Sequence, residues 1–345
     1  MRLKHHKVGE CMKFKQYFKP KSMIYTGKQV DIKTDVRMYR YKTKEVEQLT
    51  DLNRIKEANY IQIIGLNDLK LMQTIQKTFS IDPFIMEDIL NIKQRNKVEA
   101  GDNYLFSCIS FLTQEQNIKK HYMSIYLNDS VVITFHETPP YYLDRLISII
   151  GDYKDLKDHE SDLMLYHLFD LITDDHLNIL DIYEKDMNAF EENILETKTF
   201  DEQAFYLLRK HILQLKNIST PIYEDLKHIL NKGHNLIYKE SLYYYNDLID
   251  HMSRIEHRLN HLKEIMKTLL DLDMNYQSTK MNKIMSTLTL FSTIFIPLSF
   301  LTGFFGMNFI HFNVLKYEYA VLIFVFVCFM IAGTMLYIFK KNKWF

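Results

Sequence analysis

Charge stops almost completely near residue 283. The stretches 284–306 and 319–339 contain no Asp, Glu, Lys or Arg, and each is about 20 residues long. At ~1.5 Å rise per residue each crosses a ~30 Å hydrocarbon layer, and the polar segment 307–318 between them makes the pair a hairpin. Before the membrane the pattern changes character at about Gly151. Short apolar runs at 60–66, 104–112, 122–127 and 131–135 predict strands, interleaved with helical spacing at 68–79 and 83–91. From Ser161 onward only helical periodicity remains, at 162–195, at 201–230 and from 241 into the membrane, with Pro221 and Gly233 as the main interruptions.

The helix that begins at about 241 carries two stripes. Leu248, Met252, Ile255, Leu259, Leu262, Met266 and Leu269 follow at alternating steps of four and three, the seam of a helix packed against partner helices. No breaker separates this helix from the first span except Pro297 within it, which membrane helices tolerate. One rod on the order of 100 Å is therefore expected. From Asp271 the same spacing picks out Asn275, Ser278, Asn282, Met285, Thr289, Ser292, Ile296, Ser299 and Gly303. Inside the membrane this face is small or polar, while Phe291, Phe295, Leu298 and Phe300 point elsewhere. Tight helix packing and the lining of an aqueous pore both fit such a face, and a pore requires several copies around an axis.

Charge then fixes orientation. Lys280 and Lys283 precede the first span and Lys340, Lys341 and Lys343 follow the second, against Lys316 alone in the connection, so both termini are expected in the cytoplasm. The first residues are basic and lack an apolar core, so no removable leader is expected. Residues 1–21 hold seven Lys or Arg against Glu10, which reads as a solvated tail ahead of the alternative, a head that touches anionic lipid. Residues 152–202 hold sixteen acids against four lysines, a concentration that either attracts cations or forms a solvated helix face. Cys11, Cys108 and Cys328 are scattered and fit reduced thiols. His257 and His261 have the i, i+4 spacing of a helical metal pair, but Arg254, Arg258 and Lys263 oppose a cation there. The sequence has no P-loop, GxGxxG turn, HExxH helix or nucleophile elbow that would indicate nucleotide-driven transport or catalysis.

At the outer end of the second stripe stand Gly306, Met307 and Asn308. With the preceding run from Met281, including Ser292, Thr293, Ile294, Phe295, Ile296, Pro297 and Leu298, they resemble the first membrane helix of the CorA family of magnesium and cobalt transporters, which a Gly-Met-Asn motif defines. Met86, Glu87, Asp88, Ile89, Leu90 and Asn91, then Gln94, Arg95, Lys97, Val98 and Glu99, are similar to a helix and following strand of that family's cytoplasmic domain. The closing Lys340, Lys341, Asn342, Lys343 and Trp344 resemble its basic C-terminus. The resemblance covers most of the chain from about Tyr60.

It implies an α+β protein with an α/β cytoplasmic domain, a long helical stalk and two C-terminal transmembrane helices, assembled as a funnel-shaped homopentamer in the cell membrane. The expected parts are a basic tail at 1–21, the α/β domain at 22–150 and a helical acidic region at 151–240. A stalk helix at 241–283 leads to a pore-lining span at 284–306, an external loop at 307–318, a second span at 319–339 and a basic end at 340–345. Gly306, Met307 and Asn308 would form the selectivity filter. Asp271, Asn282, Met285, Leu288, Thr289, Ser292, Ile296, Ser299 and Gly303 would line the pore, with Leu288 and Ile296 as apolar constrictions. Family members often carry Met in place of Ile296 and Thr in place of Ser299, and many have an acidic pair in the loop where this chain has only Glu318. Asp88 and Asp247 would bind regulatory Mg²⁺ between subunits. Mg²⁺ is thus both cargo and regulatory ligand, with Co²⁺ and Ni²⁺ as further cargoes and no organic cofactor. Lipid, divalent cations and further copies of the chain are the expected partners, and nucleic acid is not. A zinc transporter of the same superfamily is the nearest alternative, followed by a membrane-anchored scaffold or enzyme.

Overall fold

In the computed structural model the described residues are 23–29, 31–42, 45–114, 118–140, 143, 161–197, 200–307 and 318–342. They belong to two compact units, one comprising the residues up to Glu192 together with Asp201–Met266, the other Asn193–Phe200 and Lys267–Phe345.

The first unit is built on a seven-stranded sheet in the order β2-β1-β3-β7-β6-β5-β4. Its strands are β1 (Asp35–Lys42), β2 (Glu45–Leu49), β3 (Tyr60–Ile64), β4 (Lys97–Ala100), β5 (Leu105–Gln114), β6 (Ile118–Leu127) and β7 (Val132–His136). The longest pairing joins β5 and β6 antiparallel, from Leu105↔Leu127 to Gln114↔Ile118. Strands β3 and β7 pair in parallel, Tyr60 against Val132, which requires everything between them to act as the crossover. Within that crossover lie helices α1 (Leu69–Thr78) and α2 (Pro83–Leu90). Asp68 starts α1 by accepting from the Lys70 and Leu71 amides, and Asp82 starts α2 by accepting from the Phe84 amide, with Pro83 in the first turn.

Both faces of the sheet are covered, which explains why nine consecutive residues of β5, Leu105–Thr113, are buried rather than every second one. Phe106, Cys108, Ile61 and Ile133 pack under α1 and α2, while Leu105, Ile109, Phe111 and Met123 face a cluster supplied by the long helices. Those helices are α3 (Ser161–Thr197), α4 (Glu202–Lys232) and α5 (Leu242–Phe305). All seven seam residues of α5, from Leu248 to Leu269, are buried. Each such side chain contributes about 1.5–3 kcal/mol relative to exposure. The seam is flanked by contacts within the same chain: Arg258 reaches Glu184 at 2.7 Å and Asp181 at 2.5 Å on α3, and Thr220 of α4 donates to Glu256 at 2.5 Å.

Two expectations need correction. Pro221 does not interrupt α4, because Leu215, Ile218, Ile222 and Leu226 stay buried on one face and outweigh the hydrogen bond that proline removes. The helix ends instead at Gly233, whose φ of 75° is a conformation a side chain resists. Strands β1 and β2 also precede the first strand read from the pattern. Their charged residues hide the apolar positions: Arg37 pairs with Asp35 and Arg40 with Glu57, each at 3.2 Å, leaving Met38 and Tyr39 to the core.

Candidate functional site

The second unit contains the remainder of α5 and helix α6 (Ala320–Lys341), both long and apolar enough to cross a membrane. One side of α5 faces α6. The rings of Phe305 and Phe324 lie 5.1 Å apart at one end of the hairpin, Leu290 and Phe339 are buried toward the other, and Ile294, Pro297, Leu298 and Leu301 are half-buried on the same side of α5 as Leu290. At 3.6 residues per turn the stripe lies on the opposite side. Asp271, Asn282, Met285, Leu288, Thr289, Ile296, Ser299 and Gly303 are all exposed there, and Ser292 is half-buried. Phe291 and Phe295 flank the stripe on one edge, Phe300 and Phe304 on the other. The Thr289 hydroxyl donates to the Met285 carbonyl at 2.8 Å, so it adds polarity to this face without an unsatisfied donor.

The helix ends in a tight turn. The Gly306 amide donates to the Thr302 carbonyl at 2.9 Å, and the Met307 amide to the Phe304 carbonyl at 3.3 Å. A Cβ at position 306 would stand 3.0 Å from that same Thr302 oxygen, so glycine lets the chain turn away at the helix end. Met307 is exposed. Asn308 lies outside the described residues.

The two acids expected to bind regulatory metal sit in the first unit. Asp88, in the last turn of α2, receives Lys97 Nζ at 2.8 Å on one oxygen and Gln94 Nε2 at 2.8 Å on the other. Lys97 also contacts Glu99 at 2.7 Å. Partial burial works against its charge, but the hydrogen bonds it donates to Asp88 and Glu99 prevail and raise its pKa. Asp247, in the first turns of α5, stands 4.0 Å from His251 Nε2.

His251 belongs to a group the sequence reading missed. Its ligating nitrogen and one oxygen each of Asp170 and Asp174 lie within 4.8 Å of one another. His251 Nδ1 is buried without a hydrogen-bond partner among the described residues. Burial, then the charge of Asp174, pushes Asp170 up to about 6, with Asp247 adding to the rise and His251 opposing it. The separations suit one cation: the carboxylates fit Mg²⁺, whereas the imidazole favours first-row ions such as Co²⁺. A clue was present in the i, i+4 spacing of Asp170 and Asp174 among core residues of α3. Their partner lies on another helix, which spacing cannot identify. His257 and His261 are not in the group.

The profile of the family described as "CorA-like Mg2+ transporter protein" matches residues 60–341. The chain belongs to the CorA family. The matched span includes Asp88, Asp247 and the 306–308 tripeptide. The cobalt/magnesium transport protein CorA of Thermotoga maritima is 29% identical over 337 residues, covering 94% of this chain and 96% of the relative. The zinc transport protein ZntB of Photorhabdus laumondii is 24% identical over 223 residues, covering 64% and 67%. The complete CorA magnesium transporter of Methanocaldococcus jannaschii superposes with a TM-score of 0.75 at 19% identity, over 91% of this chain and 100% of the other. At that identity the likeness establishes the CorA fold: an N-terminal α/β domain, long helices and two C-terminal apolar helices.

Proposed function

We propose that this CorA-family protein forms a homopentamer in the cell membrane, with both termini in the cytoplasm, and conducts Mg²⁺, with Co²⁺ and Ni²⁺ as secondary cargoes, down its electrochemical gradient. The observation that carries this reading is the exposed, largely small and polar stripe of α5, opposite the side that meets α6 and leading to Gly306 and Met307. Copies of α5 around an axis would enclose a wet path with that stripe inside and α6 toward lipid. The Asn308 amides would ring its outer mouth. Mg²⁺ sheds water reluctantly, so neutral oxygens that hydrogen-bond its hydration shell select it without holding it too firmly. Leu288 and Ile296 supply apolar constrictions that close by excluding water, and Asp271 supplies acids near the cytoplasmic end.

Closure by cytoplasmic Mg²⁺ rests on Asp88 and Asp247 of neighbouring subunits sharing an ion, which relieves carboxylate repulsion and locks the subunits. When internal Mg²⁺ falls, the ions leave and the assembly loosens. Asp170, Asp174 and His251 extend the acidic surroundings of Asp247. Zinc is the second reading, supported by the likeness to the Photorhabdus protein. The intact Met307 of the tripeptide favours Mg²⁺.

Uptake into vesicles, with Mg²⁺, Co²⁺ and Zn²⁺ compared, tests the assignment. Asn308→Ala should abolish Mg²⁺ uptake while the oligomer persists on size exclusion. Each amide bond to the polarised hydration shell is worth about 1.5–3 kcal/mol, and the whole ring is lost together. Uptake at the parental rate with the same preference over Zn²⁺ would overturn the filter assignment.

A further inference from the structure

Helix α4, strands β5 and β6 and the segment just before β4 flank an open groove of about 680 Å³, within the ~300–1,000 Å³ range of small-molecule sites. Four cationic side chains line it, Arg95, Lys120, Arg209 and Lys210, and no Asp or Glu does so among the described residues. None of the four forms an ion pair with a described carboxylate. The chain as a whole balances 43 basic against 43 acidic residues, so an acid-free cluster does not follow from its composition. Gathering like charges in a concavity opposes folding unless something else offsets it, and it focuses a positive potential on the groove.

Local structure explains how the groove keeps its shape. Tyr206, Lys210, Leu213 and Asn217 recur along one face of α4 at steps of four, three and four. Asn96 is buried and pins the helix to the sheet, donating to the Ser110 carbonyl at 2.8 Å and the Ile218 carbonyl at 2.9 Å while accepting from the Ser110 amide at 2.8 Å. With its hydrogen-bonding capacity taken up in this way, Asn96 makes a fixed wall. Beside the cations stand the exposed ring of Tyr206, a surface on which a planar base can stack, and the amides of Gln214 and Asn217, which both donate and accept.

We propose that this groove binds a small polyphosphate anion of nucleotide size, with the phosphates on the four cations and a nucleoside against Tyr206. The paired arginines suit phosphate because the guanidinium fork meets two oxygens at once, and the lysines add point charges. Four positive charges match the full charge of a metal-free triphosphate. Mg²⁺ neutralises two of those negative charges, so the groove favours the free anion over its magnesium complex.

Calorimetric titration of the purified full-length protein with ATP, in buffer containing a chelator, tests this. Saturable binding is expected, weakened roughly tenfold by Arg95→Gln and again by Arg209→Gln. Binding should also fall several-fold when Mg²⁺ saturates the nucleotide. Lys232→Gln, which removes an exposed cation that does not line the groove, should leave binding unchanged. Should an arginine variant lose its oligomer on size exclusion, Lys120→Gln and Lys210→Gln carry the same expectation from exposed positions. Inorganic tripolyphosphate separates the two sources of the chemistry. Equal affinity for it assigns the site to the phosphate chain alone, and weaker affinity adds the nucleoside contact. Absence of saturable ATP and tripolyphosphate binding, or binding indifferent to all four substitutions, would overturn the proposal.

Discussion

Lys97 holds Asp88 at 2.8 Å and Glu99 at 2.7 Å, and this geometry gives the proposed regulatory acid a resident competitor. A divalent ion approaching Asp88 must displace an ammonium or share the carboxylate with it. The second contact gives Lys97 somewhere to go, because the ammonium can remain on Glu99 while Asp88 turns to the ion. Removing the competitor should therefore strengthen metal binding rather than weaken it. For a partly exposed pair worth up to about 1 kcal/mol, Lys97→Gln should lower the internal Mg²⁺ concentration that half-closes the pore by about two- to fivefold. Gln94 continues to orient Asp88 in that variant. Patch currents recorded against internal Mg²⁺ measure the shift, and a dose response identical to the parent would remove Asp88 from the regulatory site.

At the scale of elements, α3 is tied to β5 by an unusual bond: the Leu112 amide donates to His176 Nε2 at 3.3 Å, which requires a neutral ring. Burial alone lowers His176 from 6.5 to about 4. A depressed folded pKa means the unfolded chain binds the extra proton first, so this contribution is fully present above about 6.5 and is lost as the pH falls toward 4. Acidifying from pH 7 to pH 5 should cost on the order of 1–2 kcal/mol through this residue. His176→Gln, which keeps an acceptor that does not titrate, should flatten the acid limb of a denaturant-midpoint curve; an unaltered limb would contradict the assignment. The elements themselves were largely legible in the sequence. The α5 seam and strands β3, β5, β6 and β7 announce themselves because each buries a periodic or continuous apolar set. Asp35–Lys42 conceals β1 because charges occupy its exposed positions, and the Asp170–Asp174–His251 group unites residues on two helices that no local spacing connects. The stripe on α5 was legible as a pattern, but its placement opposite α6 needed the fold. That placement yields a paired test. Leu288→Ser, on the stripe, should wet the proposed constriction and raise current at inhibitory internal Mg²⁺, whereas Phe291→Ser, on the flank, should not. Equal effects of the two would move the pore axis off the stripe.

For the whole molecule, one chain cannot enclose water with a single helix face, so the proposed pore requires copies of α5 around an axis. The proposed transport then needs an energy source, and in the sequence no phosphate-binding loop of the kind that couples hydrolysis to transport is present. The anion binding proposed for the groove beside α4 does not change this, since binding alone supplies no energy to transport. The membrane potential is sufficient by itself. A divalent ion moving through the full field gains roughly 4.6 kcal/mol per 100 mV, twice the ~2.3 kcal/mol for one elementary charge. At about 1.4 kcal/mol per decade, that supports accumulation on the order of a thousandfold or more at equilibrium. The expected behaviour is a steep dependence of Mg²⁺ entry on voltage and none on hydrolysis. In vesicles with equal Mg²⁺ on both sides, uptake should begin when a potassium diffusion potential, negative inside, is imposed, and should stop when an ionophore collapses it. Internal Mg²⁺ must be held below the closing concentration, so that a silent vesicle reflects driving force rather than a shut pore. Net accumulation that continues at zero potential and equal concentrations would require a coupled energy source and would refute passive conduction.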